Sequence, residues 1–69
     1  MSAIAIGAAL KLAREEAGLS LNQAATQAGI TKSFLWTTED GRNRIGFDHV
    51  VKLCRLYGAA LDSIARHVS

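Results

Sequence analysis

Apolar residues recur along this chain with a helical period, and no stretch alternates as a half-buried strand would. Ile6, Ala9, Leu10 and Ala13 form one stripe and predict a first helix from about Ile4 to Ala17. Ser2 can cap that helix and Gly18 ends it. Ser20-Leu21-Asn22-Gln23 has the spacing of a capping box, in which the Ser hydroxyl and the Gln side chain satisfy free amides at a helix start. A second helix therefore runs from about Leu21 to Ala28, with Ala24, Ala25 and Ala28 inward, and stops at Gly29. Thr31 caps a third, from about Lys32 to Asp40, closed by Gly41. A fourth spans about Phe47 to Tyr57, with Phe47, Val50, Val51, Cys54 and Tyr57 mostly inward, and ends at Gly58. A fifth begins near Ala60 and carries Leu61, Ile64, Ala65 and Val68.

The gap between the second and third helices is the informative one. Only Gly29, Ile30 and the cap Thr31 separate them. So short a turn, opened by Gly, makes two helices cross steeply, which is a helix-turn-helix arrangement. At about 100° per residue, Leu35, Thr38 and Thr31 fall on one side of the third helix, with Phe34 at the edge. Lys32, Ser33, Trp36, Thr37 and Asp40 fan over the other.

Composition narrows the class. The chain has 69 residues, no Pro, and 49% hydrophobic residues of which many are Ala, so closely packed helices around a thin core are expected. The fold class is all-α, a single domain over residues 1–69. A net charge of +2 permits nucleic-acid binding without arguing for it. Cys54 is the only cysteine, so no internal disulfide can form, and an intracellular protein is expected. The apolar start MSAIAIGAAL lacks a basic leader and is cut short by Lys11, so neither a signal peptide nor a membrane span is expected.

From Ile6 to about Ile64 the chain resembles the Cro/phage-repressor (XRE-type) helix-turn-helix family. The resemblance rests on Ile6-Gly7, Ala13 to Ser20 (AREEAGLS), Ala28 to Thr31 (AGIT), Leu35, Glu39 to Arg42 (EDGR), Val50 to Leu53 (VVKL), Leu56 to Gly58 (LYG) and Leu61 to Ile64 (LDSI). It implies a compact five-helix, lambda-repressor-like domain whose second and third helices form the motif. It further implies a sequence-specific, double-stranded DNA-binding transcriptional regulator, a repressor by expectation, acting as a homodimer on a palindromic operator. Such a protein is cytoplasmic and nucleoid-associated, bacterial or phage-encoded, with no cofactor, metal, membrane or small-molecule substrate. No catalytic constellation is apparent, so no enzyme is expected. Cys54 reads as a small core residue, and His49 and His67 as surface histidines.

The resemblance places base contacts at Lys32, Ser33, Trp36 and Thr37, and phosphate contacts at Ser20, Arg14, Arg42, Asn43 and Arg44. Lys32 can donate to guanine or to phosphate, and Ser33 and Thr37 can donate or accept at base edges. Solvated surface is the plain alternative for Lys32, Ser33 and Thr37, and ordinary turn charge for Arg42 and Arg44. Trp36 leaves three roles open: a plug for the thin core, a DNA contact, or the anchor of a protein partner. The last would make the chain an antitoxin-like or phage/host protein binder. Arg14 and Glu39 match positions at which the family forms an internal ion pair; two separate screened charges are the alternative. A dimer surface is expected at Ile45, Phe47, Ile64 and Val68. Leu21 stands where Gln is frequent, Ala24 where a core Leu is, and Thr38 where a core Ile or Trp is. Trp36, in its core-plug role, and Phe34 are the candidates to supply the missing core volume.

Overall fold

The computed structural model describes residues 3–65, which are helical wherever they are regular. The order is α1 (Ala3–Glu16), α2 (Leu21–Ala28), α3 (Lys32–Glu39), α4 (Phe47–Tyr57) and a short segment α5 (Leu61–Ala65). Of the five helices expected, four are full helices; the fifth is a segment of five residues. Its continuation to Val68 lies outside the described residues, as does the Ser2 cap.

The helix-turn-helix is fixed by its caps. Ser20 Oγ accepts the Gln23 N–H at 3.0 Å while Gln23 Oε1 accepts the Ser20 N–H at 2.9 Å. At the other end of α2, Gly29 takes a left-handed conformation at φ 72°, which a Cβ would strain. That geometry lets the Ile30 N–H bond to Ala25 O and turns the chain. Thr31 Oγ1 then accepts the Phe34 N–H at 3.0 Å and starts α3.

The core is built from Ile6, Ala9, Leu10 and Ala13 of α1, Ala24, Ala25 and Ala28 of α2, Leu35 of α3, Leu53, Cys54 and Tyr57 of α4, and Ile64 of α5. Small residues here mean close helices. A Cβ added at Gly7 would lie 2.3 Å from Thr38 O and 2.7 Å from Glu39 O, so α1 rests directly on the last turn of α3. Thr38 is buried where a larger apolar residue was expected, and its hydroxyl donates to Phe34 O at 2.8 Å. The light core is thus closed by approach of backbones. Trp36 does not fill it, being 50% exposed, and Phe34 is only half-buried.

Three expectations about inward residues are corrected. Phe47 is 69% exposed; it is the first residue of α4, before the helix reaches the core. Val50 packs half-buried against the core as expected, but Val51 is half-buried without being part of that packing, whereas Leu53, one position from the expected stripe, is fully buried. Thr31 is exposed because its hydroxyl is used as a cap.

Candidate nucleic-acid interface

The two sides of α3 separate as its periodicity predicts. Leu35 and Thr38 are buried, while Lys32, Ser33 and Trp36 are exposed and Thr37 is half-buried. Phe34 lies at the margin, its ring 5.5 Å from that of His49 on α4. The Thr37 hydroxyl is directed at Ser33 O and Phe34 O, 3.0 Å from each. Its single proton is therefore committed to its own helix, which removes the expected donor role. The methyl and an oxygen lone pair remain.

At the start of α2, Ser20 is exposed and uses its oxygen as the cap acceptor. Its hydroxyl proton stays available to a phosphate beside the free amides of the helix end.

Arg14 is buried on α1 and reaches α3. Its Nε donates to Glu39 Oε2 at 2.8 Å and its Nη2 to Glu39 Oε1 at 3.1 Å, a side-on two-bond pair. Its Nη1 donates to Leu19 O at 2.9 Å. The two side chains are 11% and 6% exposed. The Glu39 hydrogen bonds raise the Arg14 pKa above its ordinary value, against the opposing effect of burial. Three of the five guanidinium N–H groups are thus engaged inside the domain. Little of Arg14 is left for a phosphate, and its main role is internal. Burial, and then the Glu39 charge, push the nearby Tyr57 up to about 12. The Tyr57 hydroxyl has no hydrogen-bond partner among the described residues.

The turn after α3 carries a second ion pair, between Arg42 Nε and Asp40 Oδ2, with side chains 67% and 45% exposed. The Arg42 guanidinium carbon also stands 5.3 Å from the centre of the Trp36 ring. Arg44 is exposed. Asn43 is half-buried, and its Oδ1 has no partner among the described residues.

Lys11, Arg14, Leu21, Trp36, Glu39 and Asp40 line one open groove of about 160 Å³ between α1, α2 and α3. Lys11 was not among the expected site residues. The signal was available: it lies one helical turn before Arg14, the residue expected to reach α3. Trp36 forms a wall of this groove, not a core plug.

The expected dimer surface divides. Phe47 is exposed, and Ile45 is half-buried against the core. Ile64 is 3% exposed, its apolar surface already covered inside the domain, so it offers no face to a second subunit. Val68 lies outside the described residues. Burial also pushes the Cys54 thiol up, keeping it protonated and unreactive. Among the described residues no group of three or more His, Cys, Asp or Glu could hold a metal ion. No described helix is long and apolar enough to cross a membrane.

A family model described as a helix-turn-helix domain matches residues 5–66. No curated protein sequence matches the chain significantly. Among solved structures, the clp gene regulator ClgR from Corynebacterium glutamicum is 25% identical with a TM-score of 0.88, over 94% of this chain and 69% of that one. An HTH_3 family transcriptional regulator from Vibrio cholerae is 25% identical with a TM-score of 0.81, over 93% of this chain but 36% of that one. The restriction-modification controller protein C.AhdI from Aeromonas hydrophila is 21% identical with a TM-score of 0.82, over 90% and 94%, and speaks for the fold alone. With its caps, its Gly29 corner and nearly its whole length matched, the chain belongs to the helix-turn-helix domain family, in the Cro/phage-repressor (XRE-type) branch that its motifs resemble.

Proposed function

We propose that this protein is a sequence-specific double-stranded DNA-binding transcriptional regulator. One observation carries the reading: the short α3 is buried along Leu35 and Thr38 and held by caps at a Gly corner, while Lys32, Ser33 and Trp36 are exposed. A helix presented this way enters a major groove with its early residues at base edges. Lys32, Ser33 and Trp36 contact bases, Thr37 through its methyl. Asn43, Arg44 and Ser20 contact phosphate, Arg42 stands beside them in the same turn, and the contribution of Arg14 is to hold Glu39. The names of ClgR and of the Vibrio cholerae regulator support a role in gene regulation. One such domain makes few contacts, so the protein acts as a homodimer on a palindromic operator, as a repressor, with half-sites about 34 Å apart. Exposed Phe47, beside Ile45, is the remaining candidate for its subunit contact.

The test is selection of bound sequences from random duplex DNA at near-physiological salt. Enrichment of a motif with two-fold symmetry is expected. Recovery of no motif points to the second reading, a protein-docking module, which the half-exposed Trp36 favours.

A further inference from the structure

We infer that Asp40 and Trp36 are positioning residues that hold Arg42 away from DNA phosphates, so that Arg42 acts as a latched cation. This rests on the DNA-binding reading above and concerns how that surface is regulated by its own side chains.

The observations lie within one turn of chain. Arg42 donates from Nε to the Asp40 carboxylate and lays its guanidinium against the Trp36 ring at 5.3 Å. Two attractions, one ionic and one of cation–π type, thus point the same side chain back along α3. Asp40 and Trp36 also share the groove with Lys11, Leu21, Arg14 and Glu39. Glu39 is committed to Arg14, so Lys11 is the other cation facing Asp40 there.

The consequence is electrostatic. A free Arg at a phosphate displaces about one counterion, and each such contact steepens the salt dependence by about 0.9 in logarithmic units. An Arg already neutralised by a carboxylate must first leave it, and the abandoned carboxylate then repels the same phosphate. Both effects weaken phosphate binding at this corner. The pair is exposed, so the latch is weak and a single substitution releases it.

Asp40→Asn removes the charge and keeps the cap, since Asp40 is in the right-handed region at φ −81°. Binding to random and to selected duplex DNA is measured for wild type, Asp40→Asn, Arg42→Ala and the double variant, across salt. Asp40→Asn is expected to bind severalfold more tightly, with a slope steeper by about 0.9, one additional phosphate contact. Arg42→Ala is expected to weaken binding about threefold more in the Asp40→Asn background than in wild type, the size of an exposed pair's coupling. Additive effects of the two substitutions, with an unchanged slope for Asp40→Asn, overturn the latch while leaving DNA binding intact. Failure of wild type and Asp40→Asn alike to bind any duplex at low salt overturns the latch and the reading beneath it.

Discussion

Among the described residues, two arginine–carboxylate pairs have acids that are neighbours in sequence, and they are opposites physically. Arg14–Glu39 joins helices 25 positions apart, is nearly buried, and uses two hydrogen bonds. Arg42–Asp40 spans two positions, is largely solvated, and uses one. Removing one partner of the first leaves a charge in a poorly solvated place, which is costly. Removing one partner of the second leaves a charge in water, which costs little. The inner pair therefore belongs to the fold, and the outer pair is free to belong to function. Glu39 and Asp40 lie on either side of the boundary between the two.

The largest effect that would break this contrast is expected at Arg14. Arg14→Ala should lower unfolding free energy by about 3 kcal/mol, read by denaturant melts; unchanged melting would put the inner pair on a par with the outer one. Next is Gly7→Ala. Its Cβ would meet α3 backbone at 2.3 Å, and forcing the helices apart should cost about 2 kcal/mol and loosen the Arg14–Glu39 contact. Tyr57→Phe sharpens the picture of the buried side. It deletes a hydroxyl that has no partner among the described residues, so it should stabilise by about 1 kcal/mol at neutral pH.

The same variant reads the titration. Tyr57 is raised from an ordinary value of 10.0 to about 12 in the folded state. The stability of wild type relative to Tyr57→Phe should therefore be constant below about pH 10 and fall as pH rises through about 12, because unfolding then releases a proton. A pH-independent difference would place the phenol in water. The smallest effect is expected at the outer pair. Arg42→Ala should change stability by under about 0.5 kcal/mol while altering duplex binding.

Much of the fold was legible because caps and helix stops are local chemistry. Ser20, Gln23, Gly29 and Thr31 form the α2–α3 corner as their spacing predicts, and α4 begins and ends where its pattern does. What the pattern missed depends on how closely helices approach, which no single helix encodes. The volume missing at Ala24 and Thr38 is recovered by α1 lying on α3 at Gly7, so Trp36 is left at the surface. Ile64 and Phe47 show the same limit. Both are apolar, but one is covered by neighbouring helices and the other, at the first position of α4, is not. At the site, helical periodicity located Lys32, Ser33 and Trp36 on the open side. It did not reveal that Thr37 spends its proton on its own helix, nor that Lys11 joins the groove from α1.

On this reading the outward side of α3 and its flanking cations hold duplex DNA. Binding of the selected duplex, titrated from about 50 to about 200 mM salt, tests it most directly. One neutralised phosphate per subunit, at Arg44, predicts a fall of roughly 12-fold for a dimer. Affinity that stays flat over that range would mean that no phosphate is held there and leave Trp36 as the anchor for a protein.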